Sequence, residues 1–467
     1  MSLFSNYTPP QASLFRAYDV RGIVGETLHT SDFCAIGHAF ATHLAIVQHV
    51  THPRVVLLRD GRLSSPALAD AMREGMLRAG AEVLDGGIGP TPLCYFATHH
   101  EAAHGSVMVT GSHNPPQHNG AKFMVGKASL YGDALAGLLQ LISQGRLQHG
   151  KGSSRSISPT AAYVSRLREE VVGLKLHAIS SIWDCGNGAA GEVVEQLLVG
   201  MAGLHRGQFT EIDGTFPNHH PDPSDAATLV QLQEAVRRQP AAIGFALDGD
   251  GDRLGVVDEK GRILAPDHVL MLLTRSVLRD SPGAPVIADV KTSEQFFRDV
   301  RLHGGDPMLW KTGHALIKEK MREVQAMFAG EASGHLFFAD RYYGFDDGLY
   351  AALRVLRLVA ESGKSLAELV DTLPTLHASR EFRIPCADAE KFNVVAQLAQ
   401  QLEEEGARVN TLDGVRVSEK QGWWLLRASN TQAALVARCE GESAEAMEAL
   451  VEKLRTRLEA MGLAMPT

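Results

Sequence analysis

Cysteine and basic charge are both scarce in this sequence. Five cysteines are scattered over 467 residues, which is too sparse for a disulfide framework and gives no close spacing of the kind found in zinc sites. We therefore expect a reducing, cytoplasmic compartment. The net charge of −9 argues against a broad nucleic-acid surface, because phosphate backbones attract basic faces. A local basic pocket for a small phosphorylated ligand remains compatible with this charge.

Long hydrophobic runs are also missing. No stretch of about 18 uncharged apolar residues occurs, so we expect neither a membrane span nor a membrane partner. Residues 1–6 lack a basic segment followed by an apolar run, which is the pattern of a secretory signal. The hydrophobic fraction of 45% and the charged fraction of 21% are those of an ordinary globular protein.

The length predicts several domains, since about 100 to 200 residues form one. Short apolar strand patterns alternate with helical patterns over most of the chain, and this alternation indicates α/β layers. This alternation of strand and helix patterns begins again several times along the chain, so three similar α/β units in series are expected. Beyond about residue 374 the pattern changes to that of an α+β domain. The predicted domains cover residues 1–157, 158–262, 263–374 and 375–467.

A loop rich in turn residues, here called the serine loop, follows the predicted strand that ends at Val109. It reads Thr-Gly-Ser-His-Asn-Pro-Pro at residues 110–116, and its glycine and prolines favour a rigid turn. Loops at the carboxyl ends of strands are where α/β sheets bind ligands. Ser112 would then be a presented nucleophile with His113 beside it and Lys122 downstream. A plain surface turn is the alternative, whereas a hydrolase elbow is disfavoured because Gly-x-Ser-x-Gly is absent.

A second loop, here called the aspartate loop, follows an apolar strand pattern. It carries three alternating aspartates, the aspartate trio Asp248, Asp250 and Asp252. Three like charges this close call for a hard divalent cation as their partner. Three carboxylates leave one metal position open, and a phosphoryl oxygen could fill it. An EF-hand is the competing interpretation, but Arg253 stands where that loop needs glycine, and the flanks indicate strands. A solvated acidic turn without metal is the other alternative.

Four further clusters contain side chains suited to a phosphosugar. A Glu-Ala-Ser-Gly-His segment at residues 331–335 offers hydroxyl-binding groups and an imidazole. An Arg-Ala-Ser-Asn-Thr segment at residues 427–431 has the donors of a phosphate cradle. Residues 15–22 bring arginines and a tyrosine together, and residues 311–314 place Lys and His where a helix begins. Taken alone, residues 331–335 and 427–431 are also compatible with polar turns, and the arginines of residues 15–22 with surface ion pairs.

Together these motifs resemble the α-D-phosphohexomutase superfamily, and they are most similar to its bacterial phosphomannomutase/phosphoglucomutase branch. The resemblance spans nearly the whole chain in the expected order and includes an Arg-Asp-Gly-Arg-Leu-Ser-Ser-Pro segment at residues 59–66 and Gly-Pro-Thr-Pro at residues 89–92. The sequence departs from the family pattern at Gln117 and His118, which replace an acidic-aromatic pair. It departs again at Gln432, where threonine and proline are common.

The resemblance implies four domains in a heart-like arrangement around one cleft. Three would be similar α/β domains with mixed sheets, and the fourth an α+β domain of the TATA-box-binding-protein-like class. Ser112 would be the phosphoserine and would share Mg²⁺ with Asp248, Asp250 and Asp252. The other catalytic residues implied are Lys122, His335, Arg21, His113 and Arg253. The implied substrate-binding residues are Tyr18, Lys291, His314, Glu331, Ser333, Arg427, Ser429, Asn430 and Thr431.

The implied activity is interconversion of hexose 6-phosphate and hexose 1-phosphate, with mannose or glucose as the sugar, through phosphoserine and a hexose 1,6-bisphosphate. Glucose 1,6-bisphosphate would be the activator, a small phosphosugar the only partner, and the protein a monomer or weak homo-oligomer. Either Lys122 or His335 would accept the hydroxyl proton. A phosphoglucosamine mutase is one alternative, disfavoured by the Ser-Asn-Thr and Glu-Ala-Ser sequences. A non-catalytic phosphosugar- or calcium-binding protein is the other, disfavoured by the intact serine and aspartate loops.

Overall fold

The structure, a computed structural model, describes residues 7–466. They form two compact units. The first unit contains the residues up to Val269 together with Ser333–Asp371, and the second contains Leu270–Ala332 and the residues from Thr372 onward. No helix among these residues is both long and apolar enough to cross a bilayer.

The N-terminal region begins the first unit with a mixed, seven-stranded sheet and four helices. Its elements are β1 (Val20–Ile23), α1 (Thr30–Gln48), β2 (Arg54–Arg59), α2 (Ser65–Arg78), β3 (Glu82–Ile88), α3 (Thr91–His100), β4 (Gly105–Val109), β5 (His118–Val125), β6 (Ala128–Ser129), α4 (Gly132–Ser143) and β7 (Ser153–Ser156). The strand order is β1-β5-β4-β2-β3-β7, with β6 beside β5. β4 runs parallel to β2 and antiparallel to β5, so the serine loop connects two adjacent, central strands.

Glycines allow the helices of this region to pack closely. A Cβ at Gly75 of α2 would lie 2.0 Å from the carbonyl oxygen of Cys34 in α1, and one at Gly37 would lie 2.3 Å from that of Met72. No larger residue fits at either position without separating the helices. The buried apolar side chains of both helices then pack on the sheet and build the core that holds β4 and β5 in place.

The next region repeats the α/β pattern with a four-stranded sheet. Its elements are α5 (Thr160–Arg168), β8 (Ser180–Asp184), α6 (Gly191–Leu198), β9 (Leu204–Gln208), α7 (Val230–Arg238), β10 (Ala242–Leu247) and β11 (Leu254–Val257). The order is β11-β10-β8-β9, with β10 parallel to β8 and antiparallel to β11. The aspartate loop therefore connects β10 to an antiparallel neighbour, as the serine loop does in the first sheet. Helix α6 ends at Leu198, because the backbone is extended at Val199, and Gly200 follows with a φ of +81°.

The third region supplies residues to both units. Its elements are α8 (Pro266–Asp280), β12 (Pro285–Asp289), α9 (Glu294–Leu302), β13 (Asp306–Trp310), α10 (His314–Val324), β14 (Phe328–Gly330), β15 (Leu336–Phe338), α11 (Gly348–Ser362) and α12 (Leu366–Val370). Strand β12 lies between β13 and β14 and is parallel to both. The turn after β12 and the start of α10 consequently lie at the same edge of this sheet.

The C-terminal region is α+β and belongs to the second unit. Its elements are β16 (His377–Ala378), β17 (Phe382–Pro385), α13 (Lys391–Glu404), β18 (Val409–Asn410), β19 (Val415–Glu419), β20 (Gly422–Ala428), β21 (Ala434–Gly441) and α14 (Ala444–Ala460). Strands β16-β21-β20-β19-β18 form an antiparallel sheet, with β17 also pairing with β21. Helices α13 and α14 cover one face through Leu398, Leu402, Leu454 and Leu458. This α+β architecture differs from that of the three α/β regions before it.

Candidate active site

Ser112 occupies a strained turn between β4 and β5. Its φ is +50°, a left-handed conformation that non-glycine residues rarely adopt. The Thr110 hydroxyl accepts a hydrogen bond from the Ser112 backbone N–H at 2.8 Å. Although the side chain belongs to a loop, the residue is only 2% exposed. Strain of this kind persists where the surrounding structure holds it, often at functional sites.

Arg62 holds the serine loop in this shape. One terminal nitrogen of its guanidinium donates to the carbonyl oxygens of Pro115 at 2.6 Å and His118 at 3.0 Å. The other donates to the carbonyl oxygen of Ser112 at 2.7 Å and also to that of Asn114. Sequence reasoning gave Arg62 no role. Its position in an Arg-Asp-Gly-Arg run directly after the buried strand β2 was the available signal.

The three aspartates of the second loop are fully buried. Oδ1 of Asp248 accepts hydrogen bonds from the backbone N–H groups of Asp252 at 3.1 Å and Arg253 at 3.2 Å. Thr91 fixes Asp250, because its hydroxyl donates to Oδ2 and its N–H donates to the Asp250 carbonyl at 2.8 Å. One carboxylate oxygen from each aspartate lies within 4.8 Å of the others. The alternating spacing therefore converges on one point, as the sequence predicts.

The serine and aspartate loops contact each other directly. The Ser112 hydroxyl donates to Oδ2 of Asp248 at 3.0 Å, and its Oγ also lies 3.2 Å from Nδ1 of His113. Gly249 allows the approach, since a Cβ there would lie 2.5 Å from the Ser112 carbonyl oxygen. The predicted nucleophile and the predicted metal ligands consequently share one buried site in the first unit.

Lys122 reaches the same site from β5. Its ammonium group lies 2.7 Å from Oδ2 of Asp250 and also donates to Asp252. Burial alone would lower the pKa of Lys122, but the two carboxylates outweigh burial and raise it. Burial raises the pKa of Asp248 well above its ordinary value, and the charges of Asp252 and Asp250 add to that effect. Burial acts likewise on Asp252, but Lys122 and His335 outweigh it and hold its pKa well below the ordinary value.

The aspartate trio fits a hard divalent cation. Its donors are all carboxylate oxygens, the ligands that Mg²⁺ prefers. Oδ1 of Asp250 is buried and has no hydrogen-bond partner among the described residues, and an unpaired buried carboxylate oxygen is costly without a cation. Lys122 neutralises only part of the trio's charge. Asp248, Asp250 and Asp252 are therefore the residues that could hold the ion.

His335 and Arg253 border the trio. Nε2 of His335 lies 3.3 Å from Oδ1 of Asp252 and 3.4 Å from Nε of Arg253, and its Nδ1 lies 3.0 Å from the Ser333 hydroxyl. Asp346, which sequence reasoning missed, lies 4.0 Å from the same Nε2. Gly334 has a φ of +92° and lets this turn approach the Leu254 backbone. Ser333, His335 and Arg253 are thus assembled with the aspartate loop.

Arg21 and Tyr18 lie at the start of the chain in the first unit. Arg21 is buried on β1 opposite Gly120 of β5, and its Nε donates to Oδ2 of Asp19 at 2.7 Å. Burial would lower the pKa of Arg21, but Asp19 outweighs it and raises the pKa. Tyr18 is half-buried in the preceding turn. The contacts of Arg21 orient a positive side chain near the base of the serine loop.

A second group of predicted residues lies in the second unit. The buried Lys291, after β12, forms an ion pair of 3.0 Å with Glu381. Arg427 is the penultimate residue of β20, and its Nε donates to Asp413 at 3.1 Å. Asp413 also accepts from the backbone N–H of Thr312 at 2.9 Å. Glu381 and Asp413 were not predicted, and neither stands in a distinctive motif.

The remaining predicted residues surround the same region of the second unit. Oε1 of Glu331 accepts from the backbone N–H of Gly313 at 2.6 Å, and the buried His314 begins α10. The Ser429 hydroxyl accepts from the N–H groups of Thr431 at 3.4 Å and Gln432 at 3.2 Å. Half-buried Asn430 lies between them. These bonds form the tight polar turn that the Arg-Ala-Ser-Asn-Thr segment predicts.

Comparison with known proteins gives these sites a context. Family models for phosphoglucomutase/phosphomannomutase match the chain over four segments: α/β/α domain I at residues 12–145, domain II at 161–261, domain III at 265–376 and the C-terminal domain at 381–457. The chain belongs to this family. The predicted superfamily and its four-domain α/β architecture are therefore confirmed.

Several family members are similar over almost their full length. A phosphomannomutase/phosphoglucomutase of Pseudomonas aeruginosa is 38% identical over 97% of both chains. A phosphoglucomutase of Neisseria gonorrhoeae is 40% identical over 96% of both. A crystal structure of a phosphoglucomutase/phosphomannomutase family protein from Burkholderia thailandensis has a TM-score of 0.89 and 39% identity, covering 98% of this chain and all of its own.

Proposed function

We propose that this chain moves a phosphoryl group between the C6 and C1 hydroxyls of a hexose, with Ser112 as the phosphoryl carrier. It is a hexose phosphate mutase, and so an isomerase, by its similarity to curated mutases. The observation that carries the residue assignment is the 3.0 Å hydrogen bond between the Ser112 hydroxyl and Asp248 inside the buried aspartate trio. A nucleophile beside such a trio suits phosphoryl transfer, which depends mainly on positioning and charge neutralisation.

The proposed reaction has two transfers. The bond between phosphorus and Ser112 Oγ breaks as a sugar hydroxyl of a hexose monophosphate forms a new bond to phosphorus, and the hydroxyl proton passes to a base. The resulting hexose 1,6-bisphosphate reverses its orientation in the site. The bond between its other phosphorus and the sugar oxygen then breaks as Ser112 Oγ bonds to that phosphorus, and the freed sugar oxygen takes the proton back from the base. Glucose 1,6-bisphosphate would phosphorylate Ser112 initially. Arg62 keeps Ser112 in place during both transfers through its bonds to the loop carbonyls.

We propose Mg²⁺ as the cation of the trio, held by Asp248, Asp250 and Asp252 with a Ser112 oxygen as a further ligand. When bound, it would withdraw charge from the phosphoryl oxygens. Lys122 adds a positive charge at the same place and keeps the trio from repelling an anionic substrate. Arg253, Arg21 and His113 contribute further donors to the transferring group.

His335 is the better candidate for the base. The Lys122 ammonium donates to two carboxylates, which stabilises its charged form and disfavours proton uptake. His335 instead has Nδ1 beside Ser333 and Nε2 facing Asp252. A carboxylate beside an imidazole stabilises the imidazolium that forms when the ring takes a proton. The sequence left this choice open, and the hydrogen bonds of Lys122 favour His335.

We assign the substrate's stationary phosphate and hydroxyls to the remaining predicted residues. Arg427, Ser429, Asn430 and Thr431 provide a guanidinium, hydroxyls and N–H groups suited to phosphate. In the second unit, Glu331 would bind a sugar hydroxyl, and Lys291 and His314 would supply further polar contacts. In the first unit, Ser333 would bind a sugar hydroxyl and Tyr18 would supply a further contact. The Ser-Asn-Thr sequence of the phosphate turn favours glucose and mannose phosphates over glucosamine phosphate.

A coupled assay on both sugar 1-phosphates, with and without glucose 1,6-bisphosphate, tests the activity. We expect turnover of glucose 1-phosphate or mannose 1-phosphate and stimulation by the bisphosphate. Ser112→Ala should abolish turnover while leaving the thermal unfolding midpoint nearly unchanged. Intact mass should show one phosphoryl group on the wild type after bisphosphate treatment and none on the variant. Full activity of Ser112→Ala would disprove the role of Ser112.

A further inference from the structure

The ion pair between Lys291 and Glu381 lies among other basic side chains. Nζ of Lys291 is 3.0 Å from Oε2 of Glu381, and the lysine side chain is only 8% exposed. Arg383 lies 3.3 Å from the other oxygen of the same carboxylate. The charge of Arg427 acts on it as well: burial would raise the pKa of Glu381, but Lys291, Arg383 and Arg427 outweigh burial and lower it to about 2. The Glu381 carboxylate is thus surrounded by positive charge on several sides.

Two arginines connect this ion pair to its surroundings in the C-terminal region. Arg383 donates to Oε1 of Gln432 at 2.7 Å, and Gln432 directly follows Thr431. Arg438 donates to the carbonyl oxygen of Lys291 at 2.6 Å, which holds the lysine backbone against β21. Lys291 and Arg383 thus form a site that could bind an anion, and the Glu381 carboxylate is the anion that occupies it.

We infer that Glu381 is a built-in competitor for substrate phosphate, pairing with Lys291 in the free protein and giving way when a phosphate group binds. The inference rests on the proposed function in that phosphate is taken as the ligand of Lys291. Without Glu381, the buried ammonium group would lack its carboxylate partner, which is costly. Phosphate carries more charge and more acceptor oxygens than a carboxylate, so it displaces Glu381 at sufficient concentration.

Competition by Glu381 would weaken the binding of phosphate to Lys291. The free energy of breaking the Lys291–Glu381 pair is subtracted from the free energy of phosphate binding, so the Kd for phosphate rises exponentially with that cost. Weaker phosphate binding would help a mutase, because the bisphosphate intermediate must dissociate from one set of phosphate ligands before it can reverse its orientation. Tight, uniform binding of both orientations would slow that step without helping the transfer.

Equilibrium binding of inorganic phosphate, measured by calorimetry, tests the inference without turnover. Glu381→Gln keeps the side-chain shape and removes the competing charge, so we expect the Kd for phosphate to fall about fivefold or more. Glu405→Gln is the matched control: it makes the same charge change in the same C-terminal domain, at a 49% exposed side chain paired with Arg457. The control should change the Kd by less than about twofold.

A second background separates competition at Lys291 from a general field effect. In a protein that already carries Lys291→Met, adding Glu381→Gln should lower the Kd for phosphate no more than adding Glu405→Gln does. An equal gain in both backgrounds, or an unchanged or weaker affinity of Glu381→Gln with Lys291 present, would overturn the inference. If thermal unfolding shows that Glu381→Gln does not fold, Glu381→Asp decides: its shorter carboxylate should give a Kd below that of the wild type, and an unchanged or higher Kd would overturn the inference.

The coupled mutase assay on the wild type keeps the two proposals distinguishable. Turnover without the phosphate-binding pattern would leave the mutase proposal standing and remove the competitor role of Glu381. The binding pattern without turnover would support Glu381 as a competitor at an anion site and remove the mutase proposal.

Discussion

The hydroxyl oxygen of Ser112 lies 3.0 Å from Oδ2 of Asp248, although 136 residues separate them in the chain. The two residues belong to loops of different sheets, one between β4 and β5 and the other between β10 and β11. The backbones of the two loops also approach closely, since a Cβ at Gly249 would lie 2.5 Å from the Ser112 carbonyl oxygen. This approach is what joins a nucleophile to a candidate metal site.

Gly249→Ala should therefore separate the two loops. The added Cβ would lie 2.5 Å from the Ser112 carbonyl oxygen, so one loop must move, and we expect about tenfold or more loss of kcat and about 1–3 kcal/mol loss of stability. Gly137→Ala in α4 is the control, because nothing lies within 4 Å of its Cβ position. It should keep full activity and gain up to about 1 kcal/mol of helix stability. Wild-type activity of Gly249→Ala would contradict the proposed contact.

Asp250→Asn should weaken metal binding more than it weakens the fold. Oδ1 of Asp250 is the buried oxygen without a hydrogen bond among the described residues, and an amide is a poorer ligand for Mg²⁺ than a carboxylate. We expect the Mg²⁺ concentration for half-maximal activity to rise about tenfold or more. Asp306→Asn, at an exposed position at the start of β13, should leave the titration unchanged. An unchanged titration of Asp250→Asn would remove Asp250 from the metal site.

Arg62→Lys should loosen the serine loop despite keeping the charge. A lysine ammonium lacks the planar fork with which Arg62 reaches four carbonyl oxygens. Buried carbonyls would lose their partners, and we expect about 2–4 kcal/mol lower free energy of unfolding with reduced kcat. Arg238→Lys is the control at a 77% exposed ion pair and should change stability by less than about 0.5 kcal/mol. Chemical denaturation of both variants measures the difference, and equal effects would refute the structural role of Arg62.

Asp347 should make stability fall as pH rises through the mildly acidic range. The carboxyl is buried and accepts from Tyr163 at 2.7 Å and Tyr342 at 2.8 Å. Burial nevertheless raises its pKa from 3.8 to about 6. Between these values the folded protein binds a proton that the unfolded chain does not. This group's contribution is therefore most favourable below about pH 4 and declines towards pH 6, by about 3 kcal/mol.

Denaturation of the wild type and Asp347→Asn between pH 4 and 7 measures this effect. The stability of the wild type relative to the variant should decrease over that range. Tyr342→Phe removes a hydrogen bond that favours the charged carboxylate of Asp347. In this variant the pKa of Asp347 should therefore be higher, and the loss of stability with rising pH should continue to a higher pH than in the wild type. A difference between wild type and Asp347→Asn that stays constant with pH would show that Asp347 does not titrate there.

Several element predictions succeeded because their signals are local. The strands predicted before Ser112 and before Asp248 are β4 and β10, and their patterns follow from side-chain hydrophobicity within a few residues. The domain boundaries at 157, 262 and 374 and the individual site roles stay predictions.

The sequence alone determined the chemistry available to this protein. Three alternating aspartates with glycines between them, and a serine in a stiff turn after an apolar strand, are contiguous motifs, so local geometry is enough to interpret them. Only the tertiary structure decided which residues support them. The clamp by Arg62, the contact at Gly249 and the pairing of Lys291 with Glu381 join ordinary residues far apart in the chain. Such partners are selected by packing and burial, which no local pattern records.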